Sequence, residues 1–227
     1  MKNLVLLHGA LGYAAQWDPW LPKLNDTFDV HVFEFAGHGS TPAPDRPFRV
    51  EQFADDLATF LVKKGIEHAN IFGYSMGGYV ALYLAQKNPA LIGSIMTLAT
   101  KFAWTPNAAE LETKKLNAAT IAAKLPAYAA TLEQRHTALG WRTVLERTAT
   151  LMRALGDKPL INDDDLKSIA NPVLVGIGGW DTMVSIDESA HAAEVLPKGQ
   201  LRVFMDMPHP LDKVDVAEVI GALKGFI

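Results

Sequence analysis

At 227 residues, with 49% hydrophobic and 20% charged side chains, the chain has the size and make-up of one soluble α/β domain able to bury a substantial core. A net charge of -4 with the two signs interspersed leaves no basic patch, which argues against nucleic acid as a partner. The absence of cysteine excludes disulfides, thiolate chemistry and Cys-ligated metal, and is compatible with a cytoplasmic location.

Lys2 followed by Leu4 to Leu7 superficially resembles a signal peptide, but His8-Gly9 ends the apolar run too soon for one, and no other run approaches the ~20 residues of a membrane span. Asn3 to Leu7 therefore reads as a buried parallel strand running into the glycine-rich loop His8-Gly9-Ala10-Leu11-Gly12. Gln16 to Leu24, with Trp17, Trp20, Leu21 and Leu24 at helical spacing, predicts a short helix. Phe28 to Phe35 predicts a second strand, followed by a loop that the prolines at 42, 44 and 47 keep irregular. Val50 to Lys64 carries an apolar stripe (Val50, Phe53, Leu57, Phe60, Leu61) and ends at Gly65, as an amphipathic helix does.

Ala69 to Gly73 is the next strand, Met76 onward the next helix, and Ser75 stands on the corner between them within Gly73-Tyr74-Ser75-Met76-Gly77. A serine there either caps the helix or is thrust outward as a nucleophile on a strained turn, the flanking glycines letting strand and helix pass. Ile92 to Leu98 is another strand, so strands and helices alternate in the manner of a parallel sheet. From 101 to 162 no strand is predicted, only helical stretches such as Asn107–Leu116, Tyr128–His136 and Trp141–Leu155: an insertion within a single domain spanning 1–227. The alternation resumes with a helix at Asp163–Ile169, a strand at Pro172–Ile177, a helix at Ile186–Leu196, a strand at Gln200–Met205 and a helix at Lys213–Phe226.

Functional groups of an open parallel sheet sit in loops at the carboxyl ends of its strands. The serine strand delivers Ser75, the Pro172–Ile177 strand delivers Asp181, and the last strand delivers Asp206 and His209. A serine needs an imidazole to take its proton, and the imidazole needs a carboxylate to fix its tautomer. His209 alone of the seven histidines follows the last strand, whereas Asp181, Asp187, Asp206 and Asp212 are all acids within range in the chain.

These segments, together with Phe35-Ala36-Gly37-His38-Gly39-Ser40, resemble the α/β-hydrolase fold superfamily, in its serine-hydrolase branch with a helical cap. The resemblance implies a mostly parallel sheet of about six strands flanked by helices, shortened at the N-terminus, with 101–162 as the cap. It implies Ser75 as nucleophile, Asp181 as orienting acid and His209 as base, with the backbone N–H groups of Ala10 and Met76 as oxyanion hole. Departures from the usual pattern are Glu34 and Ala36 in the loop after the second strand, and the Pro208-His209-Pro210 setting of the histidine. Candidate substrate-pocket residues are Leu11, Phe102, Trp104, Tyr128, Trp141, Met152 and Met183. The activity expected is hydrolysis of an ester or thioester of a small, largely apolar acid through an acyl-enzyme, with no metal or cofactor; a homodimer is left open. Carbon-carbon bond hydrolysis, lactone hydrolysis, and a ligand-binding receptor on the same scaffold are the alternatives.

Overall fold

Leu4, Val5, Leu6 and Leu7 have no exposed surface at all, and they alternate between two cores. Leu4 and Leu6 pack with Trp17, Trp20 and Phe72 on one face, while Val5 and Leu7 pack with Phe53, Leu57 and Val80 on the other. This two-sided burial is why the run shows no apolar/polar alternation.

The computed structural model describes residues 1–227, and its core is this strand, β1 (Lys2–Leu7), within a six-stranded parallel sheet of order β2-β1-β3-β4-β5-β6. The other strands are β2 (Phe28–Phe33), β3 (Ala69–Tyr74), β4 (Ile92–Leu98), β5 (Val173–Gly178) and β6 (Gly199–Phe204). Before the sheet's centre come α1 (Leu21–Leu24) and α2 (Val50–Lys64), and α3 (Met76–Lys87) follows β3. Between β4 and β5 lie α4 (Pro106–Lys114), α5 (Ala118–Lys124), α6 (Pro126–Arg135), α7 (Trp141–Asp157) and α8 (Asp163–Ser168); α9 (Ile186–Val195) and α10 (Val216–Phe226) complete the chain. None of these helices is long and apolar enough to cross a membrane.

The strand order reverses direction between β1 and β3, which pair directly through Val5–Ile71, Leu6–Phe72 and Leu7–Gly73. Such a reversal opens a crevice at the carboxyl ends of the two strands, because the connections leave to opposite sides. The loops 8–12 and 74–76 meet there.

Local chemistry shifts some boundaries from their sequence expectation. The helix foreseen at Gln16–Leu24 is split into a 3-10 turn at Ala14–Trp17 and the single-turn α1, because Pro19 lacks an N–H and Pro22 suits only a first turn. The last helix begins at Val216, capped by the Asp215 carboxylate on the Ala217 and Glu218 N–H groups, and Asp212 lies in a preceding 3-10 turn rather than at the cap. Helix α5, not separated in the sequence reading, is capped by Asn117.

Helices α5 to α7 enclose a small core of their own (Ile121, Ala129, Leu132, Trp141, Leu145), while Val144, Leu151 and Leu155 of α7 join the main core. Three buried histidines lie in a row between the sheet loops and this segment, and one of them, His136, makes the hydrogen bonds across. His8 donates from Nδ1 to the Gly9 carbonyl (2.7 Å) and accepts at Nε2 from the Phe35 N–H (3.1 Å). His136, just after α6, accepts at Nδ1 from the Gly39 N–H (3.1 Å) and donates from Nε2 to the Leu11 carbonyl (3.2 Å). His38 lies between them, its ring 5.0 Å from that of His8 and 5.8 Å from that of His136. Glu34 stiffens the same region, its carboxylate accepting from the N–H groups of Ala14, Ser40 and Thr41 and from the Thr41 hydroxyl.

Burial holds all three imidazoles neutral: His8 is lowered to about 4, His38 well below its ordinary value, and His136 downward as well. A histidine whose folded-state pKa is depressed contributes stability that is complete above its unfolded value near 6.5 and is lost as pH falls toward the folded value. Urea midpoints are therefore expected to fall steadily between pH 6.5 and 4, with a slope of up to about 1.4 kcal/mol per pH unit for each such histidine. A His136→Gln variant should show a shallower slope below pH 6.5, and a flat wild-type profile would contradict the assignment. At the β3–α3 corner, a Cβ on Gly73 would lie 2.6 Å from the Gly78 backbone. Gly73→Ala is accordingly expected to cost about 1–3 kcal/mol of unfolding free energy, read from the same urea transitions at pH 7.5.

Candidate active site

Ser75 occupies the one-residue corner between β3 and α3 with φ 51° and ψ -116°, a conformation that costs a non-glycine residue about 1–3 kcal/mol. The surroundings hold it there: its N–H donates to the Leu98 carbonyl (2.8 Å) and its carbonyl accepts from the Thr100 hydroxyl (3.0 Å). Its side chain does not cap α3, which disposes of the plain capping role and leaves the hydroxyl uncommitted. Gly77 is needed because a Cβ there would lie 2.6 Å from the Leu7 carbonyl oxygen; the helix starts directly against the end of β1.

Asp181 follows β5 and its side chain is fully buried. One carboxylate oxygen accepts from the Met183 and Val184 N–H groups (2.8 and 2.9 Å), and the other accepts from Nδ1–H of His209 (2.7 Å). These bonds fix the His209 tautomer with the proton on Nδ1, so Nε2 is the basic nitrogen. The loop after β6 is steadied by Tyr74, whose hydroxyl donates to the His209 carbonyl (2.8 Å). Burial pushes the Tyr74 phenol further upward from its ordinary value, with the Asp181 charge adding to the effect, so it stays a neutral donor. Of the competing acids, Asp187 sits in the first turn of α9 and Asp212 in the 3-10 turn; only Asp181 bonds the imidazole of His209.

Ser75 and His209 line one cavity together with Ala10 and Met76. Met76 is the first residue of α3, so its N–H is among those a helix cannot pair internally. Ala10 precedes Leu11, whose φ of 59° is held by the Gly12 N–H to Gly9 carbonyl bond and by His136 on the Leu11 carbonyl. The apolar wall comes from Trp104, Met152 and Met183, which the sequence singled out, and from Tyr79, Leu151 and Leu155, which it did not. Thr148, Leu151, Met152 and Leu155 recur at helical spacing on α7, a visible stripe whose orientation toward the serine depends on tertiary docking.

The remaining expected pocket residues lie elsewhere. Leu11 and Tyr128 line a neighbouring cleft that shares Ala10 with the cavity. Phe102 does not line it: its N–H is bound by the Glu188 carboxylate (2.9 Å), which holds it toward α9 and a separate cleft. Trp141 is also absent from the wall, because at the start of α7 its ring fills the small core with Ile121, Leu132 and Leu145. Two anchors the sequence did not reveal hold the segment's ends. Lys101 donates to the Met183 carbonyl (3.0 Å), and the Tyr79 hydroxyl accepts from the Leu160 and Ile161 N–H groups (3.2 and 3.1 Å).

Comparison with known proteins places this geometry among relatives. The chain is 34% identical over 100 residues to a pimeloyl-[acyl-carrier protein] methyl ester esterase of Neisseria meningitidis serogroup C, a match covering 44% of this chain and spanning only 37% of that relative's length. It is 27% identical to the Vibrio parahaemolyticus protein of the same name, over 99% of this chain and 93% of the relative. Among solved structures, an E-2-(acetamidomethylene)succinate hydrolase superposes with a TM-score of 0.80 at 20% identity, covering 99% of this chain and 91% of that one, which speaks to fold alone. A family profile described as alpha/beta hydrolase fold matches residues 2–164, and with the sheet order and the serine corner described above, the chain belongs to the alpha/beta hydrolase fold family.

Proposed function

We propose that the protein is a serine hydrolase that cleaves an ester or thioester of a small, largely apolar acid through an acyl-enzyme. The observation that carries this is the shared cavity: Ser75 on its strained corner faces the same apolar space as His209, whose Nδ1 is tied to the buried Asp181. In this reading Ser75 Oγ attacks the carbonyl carbon while His209 Nε2 takes its proton, and the imidazolium is stabilised by Asp181. The developing oxyanion is received by the N–H groups of Ala10 and Met76, each such donor being worth about 3–4 kcal/mol of barrier. His209 then passes the proton to the leaving alcohol or thiol, and water, activated by the same imidazole, releases the acid.

The relatives named as methyl ester esterases support an ester substrate, and the apolar lining supports an apolar acyl group. Residues 101–162 act as the cap over that group in this reading, supported by Trp104, Leu151, Met152 and Leu155 in the cavity wall. A cytoplasmic setting belongs to the same reading. Carbon-carbon or lactone hydrolysis would use the same three side chains, and product analysis on a vinylogous diketone and on a lactone separates those from ester cleavage.

Ser75→Ala is expected to abolish turnover of p-nitrophenyl esters and labelling by a fluorophosphonate while leaving the urea midpoint within reach of wild type; activity surviving in the folded variant would refute the assignment. Asp181→Asn is expected to lower kcat by about 10⁴ with little change in KM, since the wrong imidazole tautomer is then favoured, as measured by steady-state kinetics on the best ester.

A further inference from the structure

The cavity holding Ser75 and a second, wider cleft share Ala10 in their walls, and the cleft carries a cation, Arg135, with no acidic partner. Arg135 ends α6 and is half-buried, yet it makes no ion pair and its Nε is buried without a hydrogen-bond acceptor. The guanidinium is placed firmly: it stacks on the Tyr13 ring, 5.0 Å from its centroid, and the next residue is His136, bonded to Gly39 and Leu11. A charged donor buried without an acceptor, as Nε is here, is costly, and a planar guanidinium fork is shaped for a carboxylate. Lys213 lines the same cleft and is free of ion pairs, against a single exposed acid, Asp212, so the wall carries an excess of positive charge.

The cleft has a definite relation to the proposed chemistry. Ala10 is common to both spaces, so the oxyanion donor proposed above lies where the apolar cavity and the cleft adjoin. Pro210 and Leu211, the residues after His209, line the cleft, and Tyr74, bonded to the His209 carbonyl, does too. His209 itself lines the cavity while Pro210 and Leu211 line the cleft, so the imidazole stands at the boundary of the two, where a leaving group directed toward the cleft still meets the proton it needs. A second cleft also touches Arg135, but it includes neither Ala10 nor any residue from 74 to 76 or 209 to 213.

Resting on the serine-hydrolase reading above, we propose that the leaving-group portion of the substrate carries a carboxylate, bound by Arg135 as a specificity-determining residue with Lys213 at the cleft mouth. The test uses isosteric pairs: the hexanoate ester of 4-hydroxybenzoate against that of 4-hydroxybenzamide, with the hexanoate ester of 4-hydroxyphenyl phosphate as a third arm. Wild type is expected to show a KM about ten-fold lower for the carboxylate than for the amide, the scale of a charge-assisted fork. Arg135→Gln should erase that preference while leaving amide-ester turnover unchanged, and Arg135→Lys should restore part of it. Equal loss on both esters, or no preference in wild type, would overturn the proposal, and a stronger preference for the phosphate would overturn carboxylate as the class. Calorimetry with the non-hydrolysable 4-(hexanoylamino)benzoate and its benzamide counterpart separates the two readings. Arg135-dependent binding of the benzoate with no ester turnover would sink the hydrolase reading alone, whereas turnover without charge discrimination would sink this one alone.

Discussion

Helix α3 starts in direct contact with the end of β1, so close that Gly77 has no room for a Cβ beside the Leu7 carbonyl. That contact fixes how sharply the chain must turn after β3, and the turn in turn sets the unusual backbone of Ser75. It also places the loop after β1 beside the serine, since β1 and β3 are paired neighbours at the point where strand order reverses. Strain at one residue is thus the local cost of a packing arrangement shared by two strands and a helix. The loops after β5 and β6 then need only reach the same rim, which the Asp181–His209 hydrogen bond shows they do.

The site is held by a second layer of polar contacts made by groups that do not line the cavity. Glu34 and His8 organise the loops after β1 and β2, and His136 carries the helical segment onto both. Each imidazole spends one nitrogen accepting a backbone N–H, which requires the neutral form and explains why burial and function of these rings point the same way. Tyr74 performs a comparable service next to the serine, using its hydroxyl to hold the backbone of His209.

Much of the fold was legible because its strands are continuous apolar runs ended by turn residues, and because α2 and α7 carry unmistakable stripes. The serine corner and the Asp181–His209 contact were legible for a similar reason: the rule that loops follow strand ends turns a list of residues into a place. What the sequence could not supply was docking. Phe102 and Trp104 are two residues apart, yet the Glu188 carboxylate holds the first toward α9 while the second reaches the cavity. Trp141 has the size and position of a pocket residue but belongs to a small core whose existence depends on how α5 and α6 fold back. His136 looked unremarkable in the chain because its partners, Leu11 and Gly39, are distant in sequence and both are backbone groups, which leave no mark on residue identity.

The way the helical segment is tethered bears on how the cavity could widen. Its entry is tied to the β5–α9 loop through Lys101 on the Met183 carbonyl and Glu188 on the Phe102 and Ala103 N–H groups, and its exit is tied to α3 through Tyr79. A segment pinned at both margins cannot swing like a door on one hinge. In the proposed reading of it as a cap over an acyl group, room is made only by α4 to α7 arching between these fixed ends, and the rim around Ser75 keeps its shape while they do.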